Sequence, residues 1–331
     1  MLRLFRINDP YRLLIGFFLL IIISIPLLAD PVAATISEIK ATLLGASIST
    51  GKLMYITVVD DTPPFAAAIY GLIDLIFGRS VLAYRIIALV IIFFQAAYFS
   101  VVLIRYKAYV ENTYVFVLVF IILSVFSFDM ISLSPALMAS TFLLFALNAV
   151  FKEVEFKIQR DETILSLGVY IGVASLFVLS YSYFLLISLL HLILFARINF
   201  RKVLLLFYGF ALPHMVLVTL YFWWDELTPL WKYYYQPSLT LDTTSFISLK
   251  SLLVLGSIPV LYFLISLFMV NREARLTKYQ SQLMQIMLLW VLFSILHLIV
   301  VKEFSANSVI PILPGLAYFI TTYLCSFAER E

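Results

Sequence analysis

About ten apolar runs, at 13–29, 81–104, 114–128, 135–151, 164–179, 183–196, 203–222, 249–270, 283–301 and 309–327, leave this 331-residue chain almost no choice of fold. Crossing about 30 Å of hydrocarbon takes roughly 20 mainly apolar residues. A backbone there finds no water and must satisfy its own N–H and C=O groups, so each run is predicted to be a helix. Period-two alternation is missing, which removes a barrel. The residues are 63% hydrophobic and only 12% charged, against about a quarter charged in a soluble domain. The fold class is therefore all-α and polytopic. No polar stretch is long enough to carry a core of its own, so residues 1–331 form a single transmembrane domain.

Charge placement supplies the topology. The segment 64–77 is short, carries Asp74 and opens on a proline pair, so it is either an eleventh span or a helix lying at the surface. If it does not cross, fifteen of the 22 Lys and Arg fall on one side, in the loops holding Arg3, Arg6, Arg12, Arg105, Lys107, Lys152, Lys157, Arg160, Arg197, Arg201, Lys202, Arg272, Arg275, Lys278 and Arg330. That is the pattern of cytoplasmic loops. Letting 64–77 cross would move most basic loops outside. Both termini are therefore expected in the cytoplasm, with 64–77 juxtamembrane or re-entrant. Arg3 and Arg6 precede the first run as in a signal peptide, but 26–30 offers no good cleavage site, and the run is read as an uncleaved helix.

The outward face then carries the loop 30–80, the turn 128–132 and the segment 223–248. In the first loop Ile36, Ile39, Leu43, Leu44 and Ile48 recur at helical spacing between polar residues, predicting an amphipathic helix on the bilayer. Two such helices would roof the bundle.

Several acids on this face have two readings. Asp60 and Asp61 could bind a divalent cation or act as a general base beside a lipid headgroup. They could equally cap the next helix, with Thr62 as N-cap and prolines in the first turn. Asp129 ends a span on the same face, where it is either a hydrated helix end or a group that converges with Asp60 or Glu38. Asp74, flanked by apolar residues, is in reach of Arg79 and Arg85 along the chain. Those arginines, with Lys52, either pair with acids or form a clamp for an anionic headgroup or phosphate.

His191, His214 and His297 fall in separate spans without metal-ligand spacing and are read as interhelical hydrogen-bonding groups. The aromatic cluster with Trp223, Trp224, Trp231, Tyr233, Tyr234 and Tyr235 is either a membrane-interface belt or a surface that grips a glycan or protein partner. Trp224, Trp231 and Tyr234 are the contact candidates. Cys325 stands alone, so there is neither an intramolecular disulfide nor a Cys-based metal site. No confident metal site or cofactor motif is present, and the net charge of +3 implies no nucleic-acid partner.

A loop after the first span, then an amphipathic helix, Gly51-Lys52-Leu53-Met54-Tyr55, Asp60-Asp61-Thr62-Pro63-Pro64, Phe77-Gly78-Arg79-Ser80 and Arg85 before a long helix, resembles the amino-terminal half of GT-C glycosyltransferases. These include the protein O-mannosyltransferase and aminoarabinose-transferase families. The resemblance covers 13–200, with 201–331 as additional membrane helices. It implies a polyprenyl-phosphate sugar donor at the outer face of a bacterial inner membrane and an Asp-Glu motif in the first loop. Here Glu38 matches the Glu, while Ser37 stands where the family has its catalytic Asp; Asp30 or Asp60 would have to substitute. The whole chain also resembles a family of Bacteroidota inner-membrane proteins, through its opening 5–12 and the segments 94–96, 133–135 and 208–213. For that phylum gliding motility and type 9 secretion are associations only.

Three functions are in play. The first is a non-catalytic GT-C-fold subunit or scaffold of an envelope complex, engaging proteins or membrane lipids, polyprenyl phosphate among them, through its outward loops. The second is a transferase using Asp60, Asp61, Asp129, Glu38 or Asp30 as base or cation ligand, the divalent cation being needed only in that case. A transporter is the third; it lacks broken helices with coupling residues. The missing acid at Ser37 favours the first.

Overall fold

The computed structural model describes residue 5 and residues 9–29, 34–156, 160–196, 198–238, 244–245, 248–270, 276–301 and 303–327. The described residues form α1 (Arg12–Ala29), α2 (Ile36–Ser49), α3 (Pro64–Phe77), α4 (Val81–Arg105), α5 (Val115–Ser124), α6 (Pro135–Phe156), α7 (Asp161–Phe177), α8 (Tyr183–His191), α9 (Phe200–Trp223), α10 (Leu249–Val270), α11 (Lys278–Val300) and α12 (Leu313–Phe327). A 3₁₀ turn, Leu179–Ser182, and a π-helical turn, Leu192–Ala196, extend α8 at either end, and the 3₁₀ segment Ala306–Ile312 leads into α12. The all-α expectation holds. Apart from one isolated bridge, β structure among the described residues is a two-residue parallel pairing of Thr244–Ser245 with Glu303–Phe304.

Each expected apolar run contains a helix, the run 114–128 being helical over Val115–Ser124 and turning at 125–127. Six stretches, Val81–Arg105, Pro135–Glu155, Leu179–Ala196, Phe200–Trp223, Lys278–Ile299 and Ala306–Cys325, are long and apolar enough to cross a membrane. Shorter apolar helices lie at Arg12–Pro26, Pro64–Phe77, Val115–Ser124 and Gly256–Met269. The result is a multi-pass membrane protein.

The centre of the bundle is α7, packed between α6 and α9. Gly168 and Gly172 lie one turn apart on α7, and Gly209 faces them from α9. A Cβ on Gly168 would come within 2.3 Å of the Leu206 carbonyl oxygen, and one on Gly209 within 2.4 Å of that of Leu165. The two backbones are in contact, as small residues permit between membrane helices.

The second close pair is α2 with α3. Gly45 abuts the Tyr70 carbonyl and Gly71 abuts Ile48, so these helices pack as a hairpin. This hairpin lies across one end of the bundle. Phe65 sets its ring against Phe177 at the end of α7, 5.7 Å between centroids. Tyr70 donates to the Leu133 carbonyl just before α6 at 2.9 Å. Tyr84, in the first turn of α4, donates to the Tyr70 carbonyl at 3.1 Å. The first half of α3 thus rests on one end of the bundle, and the α2–α3 hairpin forms a roof over it.

Candidate functional site

The roof begins at α2. Thr35 and Glu38 form a capping box: the Glu38 amide donates to the Thr35 hydroxyl at 3.3 Å, and the Thr35 amide donates to Glu38 Oε2 at 2.9 Å. This closes two of the amides that a helix start leaves open. The stripe Ile36, Ile39 and Leu43 faces outward, with Ile36 85% exposed, while Ala41, Leu44 and Gly45 turn inward toward α3. An outward apolar stripe suits a helix lying in the bilayer interface.

Glu38 itself turns inward. Arg85, from the first turns of α4, donates through Nε to Oε1 at 2.8 Å and through Nη2 to Oε2 at 2.9 Å. Both side chains are buried. Burial alone would push the Glu38 carboxyl up. The hydrogen bonds from Arg85 and Thr35 and the guanidinium charge outweigh it and hold the group below its ordinary value. Glu38 is therefore an ionised tie between α2 and α4.

The connection to α3 turns at Gly51 and Tyr55, both with positive φ (86° and 68°). Tyr55 lies beneath it, its hydroxyl donating to the Thr62 carbonyl at 2.6 Å. Burial pushes that hydroxyl's pKa up, and the neighbouring Tyr234, Tyr221, Asp60 and Asp61 add to the effect. Asp60 Oδ1 accepts from the Thr62 amide at 2.7 Å and from the Thr62 hydroxyl, and meets Lys40 Nζ at 3.3 Å. This corrects the capping expectation. Thr62 is not the N-cap of α3: that position is Pro63, which offers no side-chain cap. The acid secures the turn before the helix because two consecutive prolines already fix the entry to it.

Tyr55 is also the hinge pin between the roof and the bundle. Its ring stacks on Tyr234 and lies beside Tyr221, each 6.3 Å away between centroids. Tyr221, near the end of α9, donates to the Met54 carbonyl at 3.1 Å, and Tyr234 donates to the Ser175 carbonyl of α7 at 2.8 Å. His214 continues the network, with Nε2 2.7 Å from the Ser175 hydroxyl and Nδ1 3.0 Å from that of Tyr235. His297 similarly approaches the Ser180 hydroxyl at 3.0 Å.

The remaining expected site residues are dispersed. Asp74 pairs with neither arginine: Ser49 donates to its Oδ2 at 2.5 Å, Arg79 is exposed, and Arg85 is held by Glu38. Asp61 and Lys52 are exposed, and Asp129 is half-buried; none of the three makes a side-chain hydrogen bond or ion pair among the described residues. Asp30 lies outside the described residues. Tyr234 is buried at 2% exposure and belongs to the packing beneath the roof, so it offers no face to a glycan or partner. Trp224 and Trp231 are exposed at the same end. Among the described residues no group of three or more His, Cys, Asp or Glu is placed to hold a metal ion. Sequence reasoning passed over Thr35, although Thr35-x-x-Glu38 ahead of an apolar stripe is a capping-box signature. It also left Arg85 unassigned between an acid and a phosphate, because 47 residues separate it from Glu38.

No protein family matches the chain, and no curated protein matches it. Among solved structures, ArnT from Cupriavidus metallidurans, in a crystal structure with bound undecaprenyl phosphate, matches with a TM-score of 0.66 over 96% of this chain. The fold is GT-C-like. At 11% identity the likeness is one of architecture, and the chain spans 60% of the ArnT chain. The shared architecture extends over nearly the whole of this chain. It leaves the chemistry to the side chains, because a fold carries no activity of its own.

Proposed function

We propose that this protein is a non-catalytic GT-C-fold subunit or scaffold of a bacterial inner-membrane envelope complex, with the roof end facing the periplasm and both termini in the cytoplasm. One observation carries the reading: two of the candidate acids, Glu38 and Asp60, are engaged in structure. Glu38 is bound on both oxygens by Arg85 and Thr35, and Asp60 is taken up by Thr62 and Lys40; in the first-loop resemblance, Ser37 takes the place of the catalytic carboxylate. The exposed rim of Lys52, Arg79, Trp224 and Trp231 is the docking surface for envelope proteins or lipid headgroups. Purification in mild detergent with identification of what accompanies the protein tests this; a stoichiometric protein partner is expected.

A second reading has one observation in its favour, the undecaprenyl phosphate bound in the ArnT structure. In it the chain would be a transferase using a polyprenyl-phosphate-linked sugar, with Asp61 or Asp129 as base or divalent-cation ligand and Arg79 or Lys52 on the phosphate. Co-purifying polyprenyl phosphate together with sugar transfer abolished by Asp61→Asn or Asp129→Asn would establish it in place of the first.

A further inference from the structure

The end of the bundle opposite the roof holds a cavity of about 870 Å³, lined by Arg105, Tyr106, Lys107, Glu155, Leu194, Phe195, Lys278 and Tyr279 among others. It lies where α4 and α6 end, where the π-helical turn follows α8, and where α11 begins. Three cations and one carboxylate line it, and among the described residues none of the four is in an ion pair. The Arg105 guanidinium stands 5.8 Å from the centre of the Tyr106 ring. The hydroxyl of Tyr279 is buried with no hydrogen-bond partner.

The basic rim is built, not incidental. Lys107 takes a left-handed backbone conformation, φ 49°, uncommon for a side chain of its kind. Gln280 secures it: its Nε2 donates to the carbonyls of Lys107 and Tyr109 at 3.1 and 2.9 Å. The same side chain closes the capping box of α11, its Oε1 accepting from the Thr277 amide at 3.0 Å. One glutamine thus joins the turn after α4 to the start of α11 and sets Lys107 and Lys278 on the rim of one cavity. Holding two like charges there opposes their repulsion, and an anion between them relieves it.

We propose that this cavity binds the headgroup of an anionic phospholipid, with phosphate oxygens met by Arg105, Lys107 and Lys278 and an acyl chain along Leu194 and Phe195. The volume is that of a small-molecule pocket, far more than a lone phosphate fills. Leu194 is exposed, and so is its neighbour Ile193, so the wall continues onto the apolar outer surface of the bundle. Basic pockets between membrane helices at headgroup level bind such lipids by this combination of charge and apolar wall. The cavity lies apart from the roof, and its occupant is independent of either reading of the roof.

The test is native mass spectrometry of the full-length protein, released from mild detergent and titrated with phosphatidylglycerol, cardiolipin or phosphatidylcholine. The anionic lipids are expected to be retained where phosphatidylcholine is lost. Lys107→Gln with Lys278→Gln should weaken retention by about fivefold per charge removed, while Lys232→Gln, at the roof end, leaves it unchanged. Both lysines are exposed, so the double variant should melt as the parent does. Arg105→Gln, at an exposed lining side chain, is a second probe and should also lower retention. Equal binding of phosphatidylcholine, or native-like retention by both the double variant and Arg105→Gln, overturns the proposal. Displacement of the lipid by an equal concentration of glycerol phosphate would assign the cavity to a soluble phosphate and overturn the lipid assignment.

Discussion

Arg85 grips Glu38 with two charge-assisted hydrogen bonds, at 2.8 and 2.9 Å, while both residues are only 5% exposed. The pair ties the roof helix α2 to the membrane helix α4 across 47 residues of sequence. It also means that Glu38, the acid singled out by the first-loop resemblance, is not a free base. A carboxylate fully engaged with a guanidinium and a helix cap takes up a proton reluctantly, which is the opposite of what general-base work requires.

Removing one partner should therefore be costly. Glu38→Gln or Arg85→Gln is expected to destabilise the protein by about 3–5 kcal/mol, the range for leaving a buried charge unpaired. The double change Glu38→Leu with Arg85→Met should recover most of that loss. Thermal unfolding in detergent reads both. An inactive but fully stable Glu38→Gln would show that the carboxylate acts chemically instead.

The same pair sets a pH dependence. Because the folded-state pKa of Glu38 is lowered, its contribution is fully present above the ordinary carboxylate value of 4.5. It is lost as pH falls through the lower folded-state value. A melting-temperature profile across the acid range should fall more steeply in the parent than in the double variant that combines Glu38→Leu with Arg85→Met. Parallel profiles would contradict the assignment.

Asp60 and Asp61 should separate. Asp60→Ala removes the acceptor for the Thr62 amide and hydroxyl and the partner of Lys40, for a loss of about 1 kcal/mol, as for a lost cap. Asp61→Ala, on an exposed carboxylate, should stay within about 0.5 kcal/mol of the parent. Denaturation midpoints of the two variants check this.

The aromatic segment divides in the same way. Tyr234→Ala should cost about 3–5 kcal/mol as a large core truncation, since it opens the stack with Tyr55 and frees the Ser175 carbonyl. Trp231 is 60% exposed. Trp231→Ala should change stability little and act on capture of the envelope partner.

How much of this was legible beforehand follows from the range of each interaction. The helices, the two of the roof among them, could be read because each apolar run is a local property. The pairing of Glu38 with Arg85, the burial of Tyr234 and the closing of the turn by Asp60 depend on which distant segments meet. Asp74 illustrates the same limit: Arg79 and Arg85 are its sequence neighbours, but helix packing brings Ser49 to it. The glycine seam shares that character, since Gly168-x-x-x-Gly172 is visible in the sequence while its partner Gly209 is not.

That seam gives a further check. Gly168→Leu places a side chain against the Leu206 backbone, which cannot withdraw without parting α7 from α9. Overpacking of this kind costs about 1–3 kcal/mol or more. Gly256→Ala, at a helical glycine with open space around it, should be neutral or stabilising by about 0.5–1 kcal/mol. Yield of monodisperse protein and melting temperature distinguish the two.

The central claim, that a GT-C-like fold has the roof acids Glu38 and Asp60 committed to structure, is tested most directly by assaying sugar transfer. The purified full-length protein would be reconstituted in vesicles with polyprenyl-phosphate-linked sugars and divalent cation. The expected result is no transfer above protein-free vesicles, with the protein folded by its melting curve. Turnover that disappears in Asp60→Asn, Asp61→Asn or Asp129→Asn while the fold persists would contradict it.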